Sequence, residues 1–231
     1  MISRNTVYSK TLSFFYPPLC LHCQKKTEDH RHLLCTLCLE QLSLLEAYSR
    51  CSYCFKSIEG VSICKECREA PIVIKAQAET CESIGPSQTI LRSYRKGSPL
   101  LASVIGSLMA LQLLKLNWPL PDYIVPLSLP LYQRMGMGAD CNKLLSYEVG
   151  KVLGCPVLIA LKCAFNFSFL SDAAADKLRF TLREQPITDK TLLLITDRND
   201  PDLIRRASHV LKEGFPKQIY SLSFCAGSGL R

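Results

Sequence analysis

Four CxxC pairs follow one another in residues 20–67: Cys20 and Cys23, Cys35 and Cys38, Cys51 and Cys54, Cys64 and Cys67. Two cysteines separated by two residues let a tight turn aim both sulfurs at one point, and a zinc ion needs four such ligands. Eight thiols therefore predict two tetrahedral four-cysteine sites. The simplest arrangement joins neighbours, closing one ribbon over residues 20–38 and a second over 51–67; a cross-braced order uses the same residues. Closed all-cysteine sites are scaffolding, and each ion contributes on the order of 10 kcal/mol to folding a segment too small for a core of its own. A redox role is the alternative, although a redox CxxC normally stands alone beside a βαβ pattern. His22, His30 and His32 lie among the cysteines and are expected to face solvent, because the thiols already complete both sites.

The chain has 231 residues and 13 cysteines, of which eight fall in this stretch. That concentration divides it into an N-terminal zinc-ribbon domain, 1–70, and a larger domain, 71–231. An even CxxC array points to a reducing cytoplasmic setting rather than to disulfides. The apolar run 12–16 is interrupted by Ser13 and stopped by Pro17 and Pro18, which makes it too short for a secretion signal. The longest apolar run, 100–114, carries Ser103, Ser107 and Gln112 and is expected to be a buried helix rather than a membrane span. The formal charge is +8, but two divalent ions held by eight thiolates contribute a net four negative charges and take it to +4. Such a balance permits nucleic-acid contact without requiring it.

Beyond Cys67 the pattern alternates. Residues 68–71 read as a hinge and 72–76 as a β-prone start. Helices are expected over 100–116, 142–153 and 201–213, with 171–182 a further helical candidate; Pro119 and Gly154 stop the first two. Strands are expected over 122–127, 156–161, 191–196 and 218–224. The series is βαβ, so the fold class is α/β, with a parallel sheet flanked by helices. In such sheets ligands bind at the carboxyl ends of strands, which directs attention to the turn from Thr196 to Asp202.

The ordered parts FFYPPLCLHC (14–23), LCTLC (34–38), CSYC (51–54), IGP (84–86), LRSYRKG (91–97), YIVPLSLP (123–130) and LLLITD (192–197) resemble the ComF family. The resemblance spans nearly the whole chain. It implies a double zinc ribbon followed by a type I phosphoribosyltransferase-like domain, associated with DNA uptake in natural competence. In that family the strand corresponding to LLLITD ends in two acidic residues and a loop rich in Thr and Gly, which holds phosphoribosyl pyrophosphate with magnesium. Here the positions are Thr196, Asp197, Arg198, Asn199, Asp200, Pro201 and Asp202, and only Asp197 matches an acidic one.

A phosphate cradle needs free N–H groups, and Pro201 removes one. Asp200 and Asp202 place carboxylates near the phosphate; two unit charges about 4 Å apart at an effective dielectric near 20 repel by roughly 4 kcal/mol. Arg198 offsets part of that charge. A structural reading accounts for the same residues: Asp200 suits a helix N-cap, Pro201 the first turn and Asp202 the positive helix end. The basic RGFNQ-like turn of the family is replaced by YQRMGMGADC (132–141), which keeps Arg134 and Gly138, and its later proline and glutamine segment by FNFSFLSDAAADKLR (165–179).

Three functions compete. The resemblance implies a non-catalytic, competence-associated protein that binds single-stranded DNA, or DNA-uptake or helicase proteins. Arg92, Tyr94, Arg95 and Lys96 supply the DNA-binding version with cations around an aromatic ring, joined by Arg134; an ordinary solvated turn with Tyr94 partly buried is the competing reading. The second function is an active phosphoribosyltransferase, with Asp197 on ribose hydroxyls or magnesium and Arg134 on pyrophosphate. The third is a zinc-ribbon adaptor. His209 and the scattered Cys81, Cys141, Cys155, Cys163 and Cys225 are expected to serve surface or packing roles.

Overall fold

The computed structural model describes residues 18–27, 32–59, 62–69, 73–128, 140–165 and 178–226. In chain order these form α1 (Thr36–Glu40), α2 (Lys65–Glu69), β1 (Ala76–Cys81), α3 (Gly85–Arg95), α4 (Leu101–Lys115), β2 (Tyr123–Pro126) and α5 (Cys141–Leu153). There follow β3 (Leu161–Phe165), β4 (Leu178–Leu182), β5 (Thr191–Arg198), α6 (Pro201–Lys212) and β6 (Gln218–Cys225).

Strands β1, β6, β5 and β2 form a parallel sheet in that spatial order. Its centre is β5, whose run TLLLITD is buried throughout because helices cover both faces. Ala76, Ala78, Leu193, Ile195, Tyr220 and Leu222 share one face with residues of α3, α4 and α5. Val125, Leu192, Leu194 and Ile219 share the other with Ile204, Ala207 and Leu211 of α6. The architecture is thus α/β, with helices on a parallel sheet.

Local chemistry sets the helix ends. Asp140 caps α5 by accepting from the Lys143 N–H at 3.2 Å, and Gly154 closes that helix with φ +68°. Asp200 caps α6 in the same way through the Leu203 N–H at 3.1 Å, and Pro201 opens its first turn. Helices α4 and α5 approach closely at Gly106, where an added Cβ would stand 2.6 Å from Glu148 Cβ.

The two N-terminal units are copies of one design. In each first knuckle the N–H four residues on folds back to the leading cysteine: Gln24 to Cys20 O at 3.0 Å, Phe55 to Cys51 O at 2.9 Å. Gln24 and Phe55 both take positive φ, at 60° and 63°. Each second knuckle lies at the start of a short helix, α1 or α2.

These units close the outer edge of β1. Leu45 N–H donates to Thr80 O at 3.0 Å and Gln77 N–H to Tyr53 O at 2.7 Å. Gln112 of α4, fully buried, donates through one Nε2 to both Leu45 O and Glu79 O. Cys20, Leu34, Cys38, Leu45 and Phe55 pack into the same apolar cluster as α3, α4 and α5.

Several sequence expectations shift. Residues 156–161 do not form a strand of the sheet; the segment touches β2 through a single bridge, Ile124 with Val157. The helix expected over 171–182 is replaced at its described end by β4, which pairs antiparallel with β3 apart from the main sheet. The first strand begins at Ala76, later than its expected start. Residues 85–95, read in part as a turn, form α3. Among the described residues no helix is long and apolar enough to cross a membrane.

Candidate functional site

The eight cysteines of residues 20–67 gather as two groups, Cys20, Cys23, Cys35 and Cys38, and Cys51, Cys54, Cys64 and Cys67. The pairing is between neighbouring knuckles, so the cross-braced order is excluded. Within each group the sulfurs lie within 4.8 Å of one another. Cys23 and Cys35 are 3.6 Å apart at Sγ, as are Cys54 and Cys64. A tetrahedron with zinc–sulfur bonds of about 2.3 Å has edges of about 3.8 Å, so the donor set fits zinc.

The thiols show why a cation belongs there. Burial opposes ionisation of Cys20, but N–H groups of Cys23, Cys35 and His22 outweigh it and bring its pKa down to about 6. Burial and the neighbouring sulfurs push Cys38 up to about 12. The second group repeats this asymmetry: Cys51 falls to about 6, whereas Cys67 is driven up, chiefly by burial. Four thiolates cannot share so small a volume without a compensating charge.

His22, expected to face solvent, is instead half-buried, and its Nδ1 lies 2.8 Å from Thr89 Oγ1 of α3. It ties the first unit to the larger domain. His32 is exposed and His30 lies outside the described residues.

At the carboxyl end of β5, Asp197 is 2% exposed. Arg95, the last residue of α3, donates to both its oxygens: Nε to Oδ2 at 2.5 Å and Nη2 to Oδ1 at 2.9 Å. The Asp197 N–H donates to Asn142 Oδ1 at 2.8 Å, and Asn142 Nδ2 donates to Leu127 O. Burial acts to lower the Arg95 pKa, but the hydrogen bonds and charge of Asp197 outweigh it and raise it. Arg198 is shifted down by burial and by the Arg95 charge.

The remainder of the turn is occupied by the protein itself. Thr196 Oγ1 donates to Arg198 O, and Asn199 N–H donates to Cys225 O. Asp200 caps α6, and Asp202 pairs with Arg205 at 3.1 Å. Each acidic residue of the turn thus has an intramolecular partner.

Tyr94 does not offer a ring to a base. It is 2% exposed and its hydroxyl donates to Cys141 O at 2.6 Å, because α3 turns that face toward α5. Arg95 points the same way. This corrects the expectation of an aromatic flanked by cations; Arg92 and Lys96 alone of that group are exposed. Arg134 and Gly138 lie outside the described residues. Cys81, Cys141 and Cys225 are buried, Cys155 and Cys163 half-buried, and His209 is exposed.

The Arg95–Asp197 pair and a recess lined by Arg179, Phe180, Arg205, Arg206, His209 and Val210, of about 400 Å³, have no counterpart in the sequence reading. The recess joins β4 to α6, and only the clustering of Arg205, Arg206 and His209 within about one helical turn hints at it.

No family model and no curated protein matches the chain. Among solved structures, a purine phosphoribosyltransferase from Pyrococcus horikoshii Ot3 is 13% identical, with a TM-score of 0.36 over 53% of this chain and 80% of that one. The hypoxanthine-guanine phosphoribosyl transferase of L. donovani is 11% identical, with a TM-score of 0.32 over 59% and 67%. That of Trypanosoma cruzi, a hypoxanthine phosphoribosyl transferase, is 13% identical, with a TM-score of 0.33 over 58% and 63%.

Proposed function

We propose that the chain is a ComF-like protein of phosphoribosyltransferase-like fold that does not transfer phosphoribosyl groups and instead binds single-stranded DNA, in the setting of DNA uptake. The observation that carries the non-catalytic part is the capture of both Asp197 oxygens by Arg95. A carboxylate so held has a guanidinium donor on each oxygen and its charge neutralised, which makes it a poorer ligand for ribose hydroxyls or magnesium. Breaking the pair would leave a charge in a site 2% exposed, which costs about 3–5 kcal/mol. The capping roles of Asp200 and Pro201 support the same reading.

Support for nucleic acid comes from surface charge. Arg179, Arg205, Arg206 and His209 surround a recess floored by Phe180 and Val210, and Arg92 and Lys96 add two exposed cations on α3 and its end. Cations of this kind follow a phosphate backbone without reading sequence. The four-cysteine units, loaded with zinc, act as scaffold.

Calorimetric titration of zinc-loaded protein with phosphoribosyl pyrophosphate and magnesium tests the first part. No heat from folded protein is the expected result; saturable binding abolished by Asp197→Ala restores the transferase reading. Titration with single-stranded oligonucleotide tests the second. Binding that weakens steeply with added salt is expected. Flat salt dependence or no binding favours a zinc-ribbon adaptor that contacts protein partners.

A further inference from the structure

Between the second four-cysteine unit and α6 lies a cleft of about 640 Å³. Gln77 and Glu79 of β1 and Asn199, just beyond β5, form its polar floor, and Phe55, Ile74 and Pro201 give it apolar walls. It opens on the α6 face of the sheet. Asp197 follows Leu193 and Ile195 on the opposite face, so the two places are separate.

The floor is a one-way chain of hydrogen bonds. Gln77 Nε2 donates to Asn199 Oδ1 at 2.7 Å, and Asn199 Nδ2 donates to Glu79 Oε1. Each amide spends one of its two N–H donors in this chain, and the bonds leave Gln77 Oε1 and Glu79 Oε2 outside it. The adjoining strand does not use them. Ser221 and Ser223 stand in register with Gln77 and Glu79, yet their hydroxyls are buried without a partner.

Charge makes the same point. Arg50 pairs with Glu82 at 2.6 Å, Lys56 with Glu66 at 2.8 Å, and Arg205 with Asp202 at 3.1 Å. With those three cations of the lining ion-paired elsewhere, Glu79 is the charged residue of the lining without a bonded counter-ion, and Arg50 reaches it only at longer range, although Glu79 is only 7% exposed. Buried carboxylates are ordinarily paired with a cation or hold a proton.

We propose that this cleft binds a guanidinium group, whose coplanar N–H donors meet Glu79 and Gln77 while the attached chain lies against Phe55 and Ile74. Residues two apart on a strand stand about 7 Å from each other, and a five-donor fork spans such acceptors where a compact ammonium does not. A charge-assisted bond from the guanidinium to Glu79 Oε2 also supplies a directly bonded counter-charge. The source is either a small guanidino compound or an arginine side chain of a protein partner. This site is independent of the nucleic-acid reading, and neither stands or falls with the other.

The test is titration of full-length, zinc-loaded protein with ethylguanidinium, followed by two-dimensional amide spectra, beside tetramethylammonium as a cation without N–H donors. Saturable ethylguanidinium shifts at Gln77, Glu79 and Asn199, with no tetramethylammonium response there, are expected. Glu79→Gln keeps the shape and removes the charge, and should weaken binding at least about tenfold. Equal response to both cations, or none to ethylguanidinium, overturns the proposal even if the variant fails to fold. A capped Gly-Arg-Gly peptide separates the sources. Affinity at least about tenfold above that of ethylguanidinium indicates a protein side chain, and equal affinity a small ligand.

Discussion

Arg95 closes α3 by gripping Asp197 at the end of β5, two hydrogen bonds spanning 102 positions of sequence. The partners are unequal, since the side chain of Arg95 is 28% exposed and that of Asp197 only 2%. Truncating one is therefore unlike truncating the other. Arg95→Ala leaves a buried, uncompensated carboxylate and is expected to destabilise by about 3 kcal/mol, whereas Arg95→Ala with Asp197→Ala should cost less than that single change. Denaturant midpoints of the two single variants and the double variant measure the coupling.

Metal removal has a stoichiometric signature. Two zinc ions per chain are expected from the two cysteine groups. Cys20→Ser and Cys51→Ser should each reduce the content to one, since the groups share no ligand. Zinc affinity should fall as pH is lowered, because protons compete for thiolates, most of all at Cys38 and Cys67, whose pKa values burial raises furthest in their groups. A metal-indicator titration across pH checks both the count and the slope.

Glu79 gives a pH signature of its own. Burial raises its pKa above the unfolded value near 4.5, and the bond from Asn199 and the charge of Arg50 only partly oppose this. The folded state then holds the proton more tightly than the unfolded chain, so this group's contribution is greatest below pH 4.5 and is lost as pH rises through the folded pKa. Glu79→Gln should flatten that decline. Thermal melts at stepped pH, wild type against variant, are the measurement.

At Gly106 there is no room for a methyl group. The nearest atom to an added Cβ would be Glu148 Cβ at 2.6 Å, with backbone atoms of Glu148 and Val149 at 3.2 Å. Gly106→Ala gains helix propensity but must separate α4 from α5, and a net loss of about 1–3 kcal/mol is expected. A lowered denaturant midpoint would show that loss.

What could be seen in the sequence was what local chemistry decides. CxxC spacing is a property of four residues, and the cysteine groups stand where it puts them. Asp200 with Pro201, and Gly154 after Leu153, mark helix ends by their own side chains or lack of one. The apolar run of β5 announces a strand buried on both faces. Strand β1, AQAETC, carries no such pattern: Gln77 and Glu79 are 4% and 7% exposed because the second cysteine unit and Asn199 cover them. Tyr94 looked like a surface aromatic among cations, yet helical spacing in α3 turns it toward Cys141. The pairing of Arg95 with Asp197 depends on how α3 packs against the sheet, which no window of sequence contains.

The outer edge of β1 is finished by segments in and beside the two four-cysteine groups, which zinc would hold in shape: Gln77 N–H meets Tyr53 O and Thr80 O meets Leu45 N–H. Without the ions those partners lose their anchor, and the strand presents an open row of donors and acceptors to any extended chain nearby. Zinc held by the two cysteine groups would thus protect against self-association as well as support the fold. A chain starved of metal is expected to be lost to edge-to-edge aggregation before its sheet has unfolded.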